Sequence, residues 1–119
     1  MNIKKIIGNM GEDKIAWNYR VKGYKIIARN FSCKYGELDI VAQKGNTIAI
    51  VEVKTRKNAN FAHAKDYVDY KKQAKIKNTA DIFLQKNNLT EYNVRFDVAE
   101  VYTDNKTTNI IENAFWIKR

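Results

Sequence analysis

The chain has 119 residues, with 22 lysines and arginines against 13 aspartates and glutamates, one cysteine, one histidine and no proline. That length supports one hydrophobic core without staples, and a single cysteine, Cys33, excludes an intramolecular disulfide or a thiolate zinc site. Nothing after Lys4 and Lys5 reaches signal-peptide or membrane-span length, so the expectation is a soluble, cytoplasmic protein forming one domain over residues 1–119, with no membrane partner. The net charge of +9 is spread over the first three quarters of the chain and not gathered in a tail. A folded basic surface suits a polyanion such as nucleic acid; the same lysines also serve solubility.

Residues 4–22 read as a helix. Ile7, Gly11, Ile15, Asn18 or Tyr19, and Lys22 follow one stripe; Met10, Trp17 and Val21 follow another. Asn9 with Glu12 three residues later imitates a capping box, which would start the helix at Asn9 and make Glu12 a cap or a first-turn acid. The alternative points Glu12 at a functional face, with Gly8 and Gly11 allowing close backbone approach. Gly23 ends the helix, Tyr24 to Asn30 form a strand, and Phe31 to Tyr35 are a turn or its continuation, with Cys33 a small strand residue.

Two apolar runs within residues 36–56 then flank Gly45-Asn46, a dipeptide suited to a two-residue hairpin loop. In that register Lys44 opposes Thr47, Asp39 opposes Glu52, and Glu37 opposes Lys54. Residues two apart share a face, so Glu37 with Asp39 and Glu52 with Lys54 each point one way. Opposed carboxylates repel unless a bound cation, a raised pKa or solvent relieves them. Hard oxygen ligands with waters left in place suit Mg²⁺ or Mn²⁺. A solvated face is the bland alternative, but Ile48 and Ile50 share Glu52's face.

Residues 57–65 have no clear periodicity and read as a loop beside that face, with His63 a surface residue and not a general base. A second helix starts near Tyr67 or Asp69 and ends at Lys86, with Gln73, Ile76, Ala80, Phe83 and Leu84 as its apolar stripe. Lys71, Lys72, Lys75 and Lys77 crowd its first half, as a solvated face or as phosphate contacts. Asn93 to Tyr102 form a strand on which Arg95 and Asp97 share a face and can pair. A short last strand covers roughly 108–112. The order implies an α/β fold with one mixed β-sheet flanked by helices.

Asp39, twelve residues, then Glu52-Val53-Lys54 resembles the D…(D/E)-x-K core of the PD-(D/E)XK nuclease superfamily. More narrowly, Gly8-x-x-Gly11-Glu12, Gly36-Glu37-Leu38-Asp39 and Val51-Glu52-Val53-Lys54-Thr55-Arg56 resemble the YraN family of bacterial proteins. Arg95-Phe96-Asp97-Val98 and Ile111-Glu112-Asn113-Ala114-Phe115 carry the likeness almost to the end. The bare D…ExK pattern arises by chance; five ordered blocks are far more specific. The resemblance implies a restriction-endonuclease-like αβββαβ core. It also implies Asp39, Glu52 and the Val53 carbonyl as metal ligands. Glu12 is a further candidate ligand, because related Holliday-junction resolvases supply a glutamate from an N-terminal helix. Leu38, Tyr70 and Asn9 depart from the expected proline, proline and arginine without removing a ligand.

The function expected is a divalent-metal-dependent endonuclease acting on DNA, with branched or repair intermediates among its substrates. Asp39, Glu52, Lys54 and Glu12 form its catalytic set, and Glu37 completes the shell or orients groups from behind it. Arg56, Lys71, Lys72 and Lys75 contact nucleic acid, and a junction-cleaving enzyme would be a homodimer. The alternative is a non-catalytic nucleic-acid-binding accessory protein with the same fold. A weaker third reading is a structural protein whose basic surface meets an acidic partner.

Overall fold

The computed structural model describes residues 2–58 and 69–115; His63 and the earlier of the two expected starts of the second helix lie outside them. The elements are α1 (Ile3–Val21), β1 (Lys25–Cys33), β2 (Gly36–Lys44), β3 (Thr47–Arg56), α2 (Tyr70–Lys86), β4 (Asn93–Tyr102) and β5 (Thr107–Phe115). The five strands form one sheet in sequence order. β3 and β4 run parallel, because α2 provides the crossover between them, while the other neighbours are antiparallel. This is a restriction-endonuclease-like αβββαβ core with an antiparallel strand added at its edge.

Each helix covers one face of the sheet. Ile76, Ala80, Phe83 and Leu84 of α2 pack on Leu38, Val41, Ile48, Ile50, Phe96 and Val98. Ile15, Ala16 and Tyr19 of α1 pack on Ile40, Ala42, Ala49, Val51, Ala99 and Val101. The alternation of β3 and β4 into two apolar sets follows from strand geometry. The second apolar stripe of α1 faces outward: Met10, Trp17 and Val21 are each more than 60% exposed. Among the described residues no helix is long and apolar enough to cross a membrane.

Several local expectations need correction. The capping box at Asn9 does not form, because α1 starts earlier: Asn2 is the cap, and its side chain accepts from the Lys5 N–H at 3.3 Å. Asn9 and Glu12 are therefore helix-interior residues. Of the two readings of Phe31 to Tyr35 the continuation holds as far as Cys33, and the last strand extends over 107–115. In α2 the buried stripe contains Thr79, whose hydroxyl donates to the Lys75 carbonyl at 2.7 Å, while Gln73 is only half-buried.

The most consequential correction concerns β2. Strict alternation fails between Leu38 and Ile40, which belong to opposite cores although two residues apart. The neighbouring strand shows the cause. Asn30 takes a left-handed φ of +55°, which asparagine tolerates better than most residues. On either side of it, Arg29 turns to α1 while Phe31 packs edge-on against Phe83 of α2. The pairs Arg29↔Ile40 and Phe31↔Leu38 thus flank a switch of face.

Gly11 sets how closely α1 approaches the sheet. A Cβ there would lie 2.3 Å from the Thr55 hydroxyl oxygen, with the next atoms at 3.6 Å. Threonine is β-branched and cannot swing its hydroxyl away freely. A buried polar node ties the far end of α1 to β4 and β5. Asp97, fully buried, accepts from the Tyr19 hydroxyl at 2.5 Å, from Arg95 at 2.8 and 2.9 Å, and from the Asn113 N–H at 2.9 Å. Asn113 sits at φ +53°, where the β4–β5 register shifts. The expected pairing of Arg95 with Asp97 is therefore present and structural.

Two outcomes follow for urea unfolding. Gly11→Ala destabilises the wild type through overpacking, but in a Thr55→Ala background it stabilises by up to ~1 kcal/mol, the helix-propensity gain of alanine over glycine. Asp97→Ala costs about 3–5 kcal/mol, because it strands a partly buried guanidinium and a buried hydroxyl.

Candidate metal and nucleic-acid site

The hairpin loop is the two-residue Gly45-Asn46, with Gly45 at φ +57°. Pairing of β2 with β3 runs from Lys44↔Thr47 to Ile40↔Val51, the register expected. It stops there. Beyond it the Val53 N–H donates to the Asp39 carboxylate at 2.8 Å instead of to a β2 carbonyl. Asp39 therefore inserts its side chain between two parting strands. A strand residue presents its N–H and C=O to the same neighbour, so the Val53 carbonyl opens toward the same gap.

Asp39 and Glu52 lie just past the last paired residues and line one cleft of about 310 Å³ with Gly36, Lys72 and Lys75. Glu52 is largely buried, and one of its oxygens lies 2.8 Å from the Lys72 Nζ and 3.4 Å from the Lys54 Nζ. Lys54 comes from the same strand face, two residues on. Lys72 comes from the first turn of α2, which Asp69 caps by accepting the Lys72 N–H at 2.9 Å.

The charges perturb one another. Burial, and after it the Glu52 charge, pushes Asp39 up to about 7; Glu12 and Glu37 add to this, and the Val53 N–H partly offsets it. Burial and then the Lys72 ammonium pull Lys54 down, against the pull of Glu52. Burial alone would depress Lys72 too, but its hydrogen bonds and the charges of Glu52 and Asp39 outweigh that and raise it.

The remaining expected site residues are dispersed. Glu12 lies on the α1 side, 3.5 Å from Arg29, whose other nitrogen meets Asp13 at 2.7 Å. It lines a separate cleft with Val53 and Thr55, near enough for its charge to reach Asp39. Glu37 is exposed and stands where the face switches: it lines the Asp39 cleft and another with Glu12 and Asn30. It pairs with Ser32 of β1, and because the β2–β3 ladder ends at Ile40↔Val51 the expected opposition to Lys54 is not made. Arg56 lies 3.4 Å from Glu100, a buried acid on β4. Lys71 and Lys75 are exposed.

Sequence reasoning missed Arg29, and it named Lys72 only as a nucleic-acid contact, without its contact to Glu52. Arg29 reaches Glu12 only because Asn30 reverses the strand face, and no periodicity announces that. Lys72 had a signal, since it lies four residues before Ile76 and so on the line of the buried stripe. Among the described residues, no three histidine, cysteine, aspartate or glutamate side chains form a closed ligand cluster. Two carboxylates and a carbonyl nevertheless fit Mg²⁺, which keeps several waters and is commonly held by one or two carboxylates plus substrate phosphates.

The fold and the paired acids at the end of a splayed hairpin place the protein in the class of restriction-endonuclease-like α/β domains. A family model described as "Uncharacterised protein family UPF0102" matches residues 11–101. The chain is 42% identical over 116 residues to a UPF0102 protein of Caldicellulosiruptor saccharolyticus, covering 94% of this chain and 98% of that one. It is 44% identical over 117 residues to one from Caldanaerobacter subterraneus, covering 94% and 96%. A third, from Clostridioides difficile, is 45% identical over 109 residues, covering 91% and 95%. The chain belongs to the UPF0102, or YraN, family.

The raised Asp39 pKa makes stability depend on pH. The folded chain holds this proton more tightly than the unfolded chain, whose carboxyl titrates near 3.8. The resulting stabilisation is full below that value and is lost as pH rises to about 7. Asp39→Asn keeps an acceptor for the Val53 N–H and stays neutral. In chelator-treated buffer its stability relative to wild type should therefore rise from pH 4 to pH 7 and then level off, as read by urea unfolding at each pH.

Proposed function

We propose that the protein is a divalent-metal-dependent endonuclease that hydrolyses phosphodiester bonds in DNA. The observation that carries this reading is the convergence of Asp39, Glu52 and Lys54 where β2 and β3 part. Asp39, Glu52 and the Val53 carbonyl would hold Mg²⁺ or Mn²⁺, with Glu12 a candidate to join through water once its contact with Arg29 loosens. When bound, the ion polarises the scissile phosphate and lowers the pKa of a coordinated water. Lys54 sits beside the ligands, where it orients the attacking water or balances negative charge developing on the phosphate.

Glu37, exposed at the rim of the same cleft, would complete the shell or orient groups around it. Lys75 lines the cleft as a phosphate contact, and the exposed Lys71 offers a second one farther out. Arg56 would reach a neighbouring phosphate by exchanging its contact with Glu100, a planar-fork donor moving from carboxylate to phosphate. The net charge of +9 supports binding to a polyanion in a salt-dependent manner. The same surface supports the rival reading of a binding module that keeps the fold and does not cut.

A labelled panel of duplex, single strand, flap and four-way junction separates the two. Wild-type protein should nick at least one substrate with Mg²⁺ or Mn²⁺ and none with chelator. Asp39→Ala and Glu52→Ala should each lose roughly 10²–10³-fold or more in rate, the scale of losing preorganised charge stabilisation. Salt-sensitive binding without cleavage in any metal establishes the binding module instead.

A further inference from the structure

Lys72 is placed unlike the other lysines at the start of α2. Its neighbour Lys71 and the following Lys75 are exposed, whereas Lys72 projects along the buried stripe toward the sheet. Its Nζ makes the shorter of the two ammonium contacts to Glu52, 2.8 Å against 3.4 Å for Lys54, and both fall on the same carboxylate oxygen. A divalent cation drawn to Asp39 and Glu52 meets two positive charges already on one of its ligands. The two lysines differ in the element that carries them. Lys54 is carried by a strand paired with β4 on its far side, while Lys72 reaches in on a long stem from the end of a helix. The cleft it lines also contains Lys75, which is exposed to solvent.

We propose that Lys72 is an exchangeable counter-ion, which neutralises Glu52 when no metal is bound and transfers to a DNA phosphate when a divalent cation takes its place. This rests on the metal reading of Asp39 and Glu52 given above. Lys72 is thus a positioning residue that couples the two binding events. In the free protein it competes with the cation; with DNA present its departure favours both ligands together. The arrangement would weaken metal binding until nucleic acid arrives to receive the lysine.

The test is Mn²⁺ titration of the full chain without DNA, with free Mn²⁺ read by electron paramagnetic resonance. Wild type is compared with Lys72→Met, Lys72→Arg, Lys71→Met and Glu52→Gln. Lys72→Met keeps the apolar stem and removes the competing charge, so Mn²⁺ should bind about fivefold more tightly or better, the scale of one lost repulsive contact. Lys72→Arg and Lys71→Met should stay within about twofold of wild type, a retained or remote charge adding little under screening. Unchanged or weaker affinity in Lys72→Met, or equal tightening in Lys71→Met, overturns the exchange while leaving the metal site standing. Absence of any saturable Mn²⁺ binding that Glu52→Gln removes overturns the metal reading itself, and this inference with it.

Discussion

The structure depends on the point where β2 and β3 stop pairing. Up to Ile40 and Val51 the hairpin is an ordinary antiparallel ladder; beyond it the Val53 N–H is held by the Asp39 carboxylate. A backbone donor left unpaired in a sheet is costly, so the carboxylate stabilises the splay and is fixed by it. This one substitution of side chain for ladder carbonyl also turns the Val53 carbonyl into the gap and leaves Glu52 beside it. The splay needs β1 to follow. Asn30 in the left-handed region switches the outer strand's faces at the same level, bringing Leu38 under α2 and Arg29 under α1.

The two helices then divide the labour. Small residues on one face of the sheet, with Gly11 against Thr55, let α1 approach closely enough to bring Glu12 beside Val53. On the other face bulkier residues hold α2 so that its capped first turn directs Lys72 at Glu52. The result is a concentration of unlike and like charges in a half-buried cleft. Burial and repulsion raise the proton affinity of Asp39, and a bound cation would relieve both without giving up the charge. Asp97 is the contrasting case. It is buried more deeply, yet four donors from Tyr19, Arg95 and Asn113 satisfy it, so it reads as structural.

Much of this was legible in the sequence, for identifiable reasons. The hairpin register followed from a two-residue loop, and the elements from alternation and helical stripes, because β3, β4 and α2 obey their periods closely. Arg95 and Asp97 were readable as a same-face pair. What failed did so where a local conformation broke the period. The φ of Asn30 and the end of the β2–β3 ladder removed the expected opposition of Glu37 to Lys54, and no spacing rule foretells either. The start of α1 was read to within one residue from its stripe, and only the alternative start at Asn9 failed, because Asn2 caps the longer helix. Lys72 was visible as one of several lysines, but its distinct role depended on extending the stripe of Ile76 and Ala80 back by one turn.

Metal binding at the splayed hairpin is read most directly from an anomalous difference map of crystals soaked in Mn²⁺. A peak is expected between the Asp39 and Glu52 carboxylates and the Val53 carbonyl, at about 2.0–2.3 Å from each oxygen. A map with no peak there, or with the ion bound elsewhere while Lys72 stays on Glu52, would contradict metal binding at the hairpin.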